Sequence, residues 1–265
     1  MPERPLQEEP AVEEHYRCIE LPISIDEFHR LPRNAAYKYE YFDGRAVLTP
    51  RPKAFNCVRD LGPVDELLPA DVYVRPLPVE GIRGLAGVFY ASVAHTQPFQ
   101  SLDEATARAA AAACIERTAS GADGPVIGPA CFAAIDPDPR AAGAVVGAVL
   151  VTLVPPEVLT HPFPGLWKEP PPADAVEKRL GVPHLTWVFV RNWEQRRGVG
   201  TVLLGAAVRA LADLGYERLA STFLLDNGPS ALWHWRNGFQ LRPQWSLAMA
   251  ETRREVNERY AKKQQ

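Results

Sequence analysis

The chain has 265 residues, 46% apolar and 23% charged, with a formal net charge of -3. That balance is ordinary for a globular protein and excludes collagen-like, coiled-coil and wholly disordered chains; the lack of a net basic field argues against a dedicated nucleic-acid binder. Cys18, Cys57, Cys114 and Cys131 stand far apart with no CxxC and no supporting histidine cluster, so no metal site is expected and reduced thiols are.

Residues 1–14 are rich in glutamate and broken by proline, the pattern of a solvated tail and not of a signal peptide. The longest apolar stretch, 141–154, is too short to span a bilayer and has the β-branched content of a buried strand. No membrane partner and a cytoplasmic location are therefore expected. Ser24 is placed to cap a short helix that Pro32 ends. In the stretch from Tyr37 to Thr49, Asp43-Gly44 supplies the turn of a hairpin whose three tyrosines share one face, as packing or as a binding platform. The segment 15–70 is expected to be an accessory helix and hairpin that packs on the core or supports a homodimer.

From Asp71 the pattern changes to alternating strands and helices. Strands are expected near 71–77, 130–135, 144–154, 185–190, 218–225 and 239–249, and helices near 80–94, 101–120, 199–214 and 229–236. The longer of the first two helices is expected to open on a capping box, Ser101 to Glu104. This order predicts an α/β (α+β) fold: one mixed sheet with helices on both faces, over 71–250, followed by a charged tail from 251 to 265. The proline-rich insertion 155–183 is too long for a plain connection; it is either a mobile surface loop or part of a pocket to which His161, Phe163 and Trp167 contribute.

The segment from Val188 through Phe189 and Val190 to Gln195, Arg196, Arg197, Gly198, Val199, Gly200 and Thr201 runs a strand into a glycine turn and a helix start. Outward amides and the positive end of the helix dipole make such a turn an anion site, with phosphate as its natural guest; an ordinary strand-to-helix connection would show the same glycines. It is neither a Walker loop nor a GxGxxG turn.

Gln195-x-x-Gly198-x-Gly200 resembles the Q/R-x-x-G-x-G/A signature of the GNAT N-acetyltransferases, and Asn227, Ser230 and Gly238-Phe239 resemble that family's downstream N-x-x-A/S…G-F ending. The resemblance is close over 184–242, follows the element order from 71, and does not cover residues 1–70. It implies a mostly antiparallel sheet, acetyl-CoA as co-substrate, no metal, and an amine as acceptor. It further implies that backbone amides from Gln195 to Gly200 hold the diphosphate and that a backbone N–H within 188–190 polarises the thioester carbonyl. Asn227 would face the pantetheine arm, or serve only as a turn residue.

Two histidines are candidates for proton transfer. His184 aligns with the place where some family members carry a glutamate base, and a neutral imidazole suits that task; it is otherwise a strand-start histidine without chemistry. His234 stands four residues before Gly238, where many members have a tyrosine acid. This departure leaves two readings open: an N-acetyltransferase in which the amine attacks the thioester directly, and a non-catalytic acyl-CoA-binding or sensor module.

Overall fold

The computed structural model describes residues 19–31, 37–50, 54–62, 72–96, 99–138, 143–156, 167, 169–192, 197–224 and 227–241. The expected tails 1–14 and 251–265 lie outside them, as do His161, Phe163, Gln195 and Arg196.

The N-terminal part begins with strand β1 (Ile19–Leu21) and helix α1 (Ile25–Arg30). Ser24 caps α1 as expected, in a full capping box with Glu27. The hairpin of β2 (Tyr37–Phe42) and β3 (Arg45–Pro50) turns on Asp43 and Gly44, both at positive φ, and β1 pairs with its far edge to complete a three-stranded sheet. Tyr39 and Tyr41 pack against the cluster of Phe28, Ala46 and Leu48, so packing accounts for these two tyrosines.

Among the described residues the main sheet holds seven strands: β4 (Ala54–Asp60), β5 (Tyr73–Pro76), β6 (Phe132–Ile135), β7 (Val145–Val154), β8 (Val182–Val190), β9 (Arg218–Leu224) and β10 (Gln240–Leu241). Their order is β10-β4-β9-β8-β7-β6-β5, and every neighbouring pair is antiparallel except β8 with β9. The expected mixed, mostly antiparallel sheet is therefore present. The expected strand 239–249 is described only at β10.

Strand β4 is a finding the sequence did not yield. Its seven residues pair with β9 along their full length, so the sheet reaches back before residue 71 into the segment expected to be accessory. The reason is long-range: Cys57 opposes Ser221 and Val58 opposes Ala220, partners no local pattern reveals.

Helices α4 (Val199–Asp213) and α5 (Gly228–Arg236) lie on one face. Nine residues of α4 are buried, because it packs on β6, β7 and β8 while α5 closes beside its first turn. A 3-10 turn (Val79–Leu85), α2 (Ala86–Val93) and α3 (Glu104–Ala119) cover the other face. The buried face of α3 is built mainly of Ala107, Ala110 and Ala111, small enough to let it lie close to α2. Its cap is Asp103, whose carboxylate accepts the Thr106 N–H at 3.0 Å. Ser101, expected to cap this helix, falls instead in a short 3-10 turn before it (Phe99–Ser101).

Candidate active site

Two neighbouring strands follow different partners, and a fork results. Strand β8 keeps its register with β7 from Val182 to Val190, and β9 keeps its register with β4 from Arg218 to Leu224. Between themselves they pair only at His184 with Ala220 and Leu185 with Ser221. Beyond that point β8 and β9 part. A bulge marks the place: Leu150 opposes Trp187 and Val151 opposes Leu185, so Thr186 is the extra residue on β8. Gly147 permits the close β7–β8 contact at the open end, since a Cβ there would stand 2.6 Å from the Phe189 carbonyl oxygen.

Backbone alternation assigns the amides of the open stretch. The Arg191 N–H bonds the Val146 carbonyl at 2.8 Å, which turns the Phe189 N–H toward β7 as well. The Val188 and Val190 N–H groups then face the β9 side. Of the expected carbonyl-polarising stretch 188–190, Phe189 thus contributes no amide to the fork; its ring packs on the opposite face, 5.2 Å from that of Phe89.

At the far end of β8 the chain enters α4. Gly198 is its N-cap at φ 80, a left-handed conformation that side chains resist, and no side chain caps the helix. The N–H groups of Thr201 and Val202 reach back to the Gly198 carbonyl, so those of Val199 and Gly200 precede the first bonded turn. No acidic residue lies in that first turn, and exposed Arg197 stands just before it. These features fit an anion at the helix start. A Cβ on Gly200 would come 3.3 Å from Trp233 Nε1, which places α5 directly beside this end of α4. Asn227 caps α5, its side-chain oxygen accepting the Ser230 N–H at 3.1 Å. This is its turn-residue reading, and it leaves that oxygen engaged within the helix end.

The two histidines occupy opposite faces of the sheet at the fork. His184 is buried; its Nδ1 lies 3.2 Å from Thr186 Oγ1 and its Nε2 3.1 Å from Thr222 Oγ1. Burial, with a smaller effect from His234, lowers its pKa to about 4. His234 is also buried, stacked on Phe223 with ring centroids 5.0 Å apart. Its Nδ1 is 2.7 Å from the Ser230 carbonyl, which only an Nδ1–H can satisfy, so in the neutral ring Nε2 carries the lone pair. At 2.9 Å from Ser221 Oγ, Nε2 competes for that hydroxyl's proton with the Leu185 carbonyl, 3.2 Å away from it. Burial lowers its pKa to about 4 against the opposing effect of that carbonyl. In this arrangement neutral His234 has no proton directed at the fork.

Sequence reasoning singled out both histidines but missed Asn56, Thr152, Thr186, Ser221 and Thr222, which surround them. Only Thr186 carried a local signal, because His184 and Thr186 are two apart on one strand and share a face. The others meet through strand register. Trp167, one of the three residues offered for a pocket if the 155–183 insertion forms one, donates its indole N–H to the Leu153 carbonyl at 2.9 Å and packs on the α4-side core. Among the described residues, no group of three or more His, Cys, Asp or Glu is placed to hold a metal, and no helix is long and apolar enough to cross a membrane.

The mostly antiparallel sheet with helices on both faces is the architecture implied by the resemblance; among the described residues it forks at its one parallel pair, beside a glycine-opened helix. Residues 128–239, less than half of the chain, match the model of the acetyltransferase (GNAT) family. Among solved structures, the chain is similar to the PaiA N-acetyltransferase of Thermoplasma acidophilum in complex with coenzyme A. That likeness has 13% identity and a TM-score of 0.43, over 64% of this chain and 91% of the other. A GCN5-related N-acetyltransferase from Sphaerobacter thermophilus matches with 15% identity and a TM-score of 0.43; this chain is covered to 72% and spans half, 50%, of that protein. AAC(6')-Iy, in complex with a bisubstrate analog, matches with 15% identity and a TM-score of 0.37, over 64% and 90% of the two chains. No match was found among curated proteins.

Proposed function

We propose that the protein is an N-acetyltransferase that moves an acetyl group from acetyl-CoA to an amine by direct attack. The observation that carries this reading is the fork: β8 and β9 pair at only two positions and then open toward the uncapped N-terminus of α4. In the proposal, the amides of Val199 and Gly200 hold the diphosphate together with Arg197 and Thr201, and with Gln195 and Arg196, which precede them in the sequence. The Val188 N–H, turned into the fork, stabilises the negative charge that develops on the thioester oxygen. A donor of this kind contributes roughly 3 to 4 kcal/mol to such a reaction. The amine nitrogen forms the new C–N bond, the C–S bond breaks, and coenzyme A leaves as the thiolate. His184, neutral at working pH, takes the proton the amine must lose. His234 holds the Ser221 hydroxyl and is given no acid role, because its only N–H faces the Ser230 carbonyl.

A second reading, a non-catalytic acyl-CoA-binding module, draws support from the same histidines, since both ring nitrogens of each are already engaged within the protein. Calorimetric titration with acetyl-CoA, followed by measurement of free thiol release in the presence of a panel of amines, separates the two. The transferase reading expects both heat and release. Heat without release for every amine favours the binding module, and no heat at all refutes both.

A further inference from the structure

Four adjacent strands each place one neutral polar side chain on the α2–α3 face of the sheet at the fork: Asn56 on β4, Thr222 on β9, His184 on β8 and Thr152 on β7. Thr186, the bulge residue, joins them. The distances form an unbroken chain: Asn56 Oδ1 to Thr222 Oγ1, 3.0 Å; Thr222 Oγ1 to His184 Nε2, 3.1 Å; His184 Nδ1 to Thr186 Oγ1, 3.2 Å; Thr186 Oγ1 to Thr152 Oγ1, 2.7 Å. Asn56 and Thr152 are buried, so the chain is closed to water at both ends.

Proton accounting fixes the Asn56 end of the chain. Asn56 Oδ1 can only accept, so the single hydroxyl proton of Thr222 goes to it. Thr222 Oγ1 then accepts from His184, which puts the imidazole proton on Nε2 and the lone pair on Nδ1. That lone pair faces Thr186. The single Thr152 proton goes to the Asp123 carbonyl, so the Thr186 hydroxyl is directed at Thr152 and the His184 carbonyl, and it donates to Nδ1 only after turning about its C–O bond.

Resting on the reading of His184 as the base, we propose that Asn56 is a positioning residue that fixes His184 as its Nε2–H tautomer through Thr222, and that Thr186 hands the proton of the amine to Nδ1. In the step, the amine N–H bond breaks and an O–H bond forms on Thr186, while the original Thr186 proton moves to Nδ1. The imidazolium that results returns its proton by the same hydroxyl to the departing thiolate, so the protein ends unchanged. The low proton affinity that burial imposes on His184 keeps this imidazolium short-lived. Asn56 lies outside the family-matched segment, so the strand that precedes that segment completes the site.

The titratable and charged groups facing His184 among the described residues are few. His234 lies across the sheet on α5. Asp123, whose carbonyl is 3.1 Å from Thr152 Oγ1, is paired with Arg117 of α3 at 3.1 Å. On β4, Cys57 and Arg59 point to the other face, Cys57 into the α4-side core and Arg59 to the Asn237 carbonyl and the Phe239 ring.

The tautomer is tested directly by the imidazole nitrogen chemical shifts of His184 in NMR, with no need for turnover. An Nε2–H signature in the parent that is lost in Asn56→Leu is expected; an Nδ1–H signature in the parent, or an unchanged one in Asn56→Leu, overturns the positioning role. In kinetics, Thr186→Val is expected to lower kcat on the order of 100-fold, with the Kd for acetyl-CoA unchanged and activity recovered in Thr186→Ser. Full turnover in Thr186→Val overturns the relay. Asn56→Asp retains the hydrogen bond and adds a negative charge, so the acidic limb of the kcat/KM profile should move up by about one pH unit; an unmoved limb counts against Asn56. Urea midpoints of each variant identify any loss that comes from unfolding. Should the parent neither bind nor turn over acetyl-CoA, the transferase reading fails, while the NMR result still decides the tautomer.

Discussion

Two buried histidines held neutral make stability depend on pH. In the unfolded chain each imidazole titrates near 6.5, whereas in the fold both His184 and His234 are lowered to about 4, chiefly by burial. Between these values the unfolded state binds protons that the native state does not, so stability is fully present above about pH 6.5 and is lost as pH falls toward 4. At pH 5 the linkage amounts to about 2 kcal/mol per histidine relative to pH 7, or about 4 kcal/mol for the pair. That is a large share of the roughly 5 to 15 kcal/mol expected of a domain. Urea unfolding at pH 7, 6 and 5 should show the free energy dropping by about this much. The double variant His184→Gln and His234→Gln should start less stable, because it disturbs two hydrogen-bonded networks, yet show a much flatter slope over the same range. A parent whose stability is level from pH 7 to 5, or a double variant with the parent's slope, refutes the account of both imidazoles.

Three further substitutions probe the frame of the fork. Gly147→Ala puts a Cβ 2.6 Å from the Phe189 carbonyl oxygen, so β8 must shift; a loss of about 1 to 3 kcal/mol in urea unfolding and weaker acetyl-CoA binding by calorimetry are expected. Asn227→Ala removes the cap of α5 and should cost about 1 kcal/mol, with the Kd for acetyl-CoA altered less than twofold, about 0.4 kcal/mol or under; a large affinity loss in a stably folded variant would return Asn227 to ligand contact. Trp167→Phe keeps most of the ring but leaves the Leu153 carbonyl without its indole donor. A destabilisation of about 1 to 2 kcal/mol and an unchanged preference among amines are expected, whereas a changed preference would place Trp167 at the acceptor.

The elements legible in the sequence are those whose cause is local. The helix now seen at Val199–Asp213 announced itself by apolar spacing and by Gly215 after it, and the hairpin by Asp43-Gly44. Ser101 and Asp103 are both good caps, two residues apart, and only the folded chain shows which one meets the helix start. β4 was illegible for a different reason. Asn56, Cys57, Val58 and Arg59 alternate between the two faces, but both faces are covered, so the strand buries an asparagine and an arginine and lacks the usual polar-out pattern. The roles of the histidines were readable only as candidates. The partners on which their proposed roles rest, the Ser230 carbonyl at Nδ1 of His234 and the Thr222 hydroxyl at Nε2 of His184, are set by a helix turn and by strand register.

Register also explains why the histidines come in a pair. Ser221 and Thr222 are consecutive on β9, so their hydroxyls point to opposite faces, and each meets one imidazole: Ser221 with His234, Thr222 with His184. Ser221 is the last β9 residue paired with β8, and Thr222 is the first beyond it. The fork is therefore flanked by one imidazole above and one below, each fixed by a hydroxyl of the diverging strand. The two faces are not equivalent, because a backbone carbonyl orients His234, whereas His184 is held only by side chains. Side-chain hydroxyls can rotate and pass a proton, but a helix carbonyl can only accept one. On that difference the proposed base is His184, on the α2–α3 face, and the role proposed for His234 is to keep β9 and α5 in place.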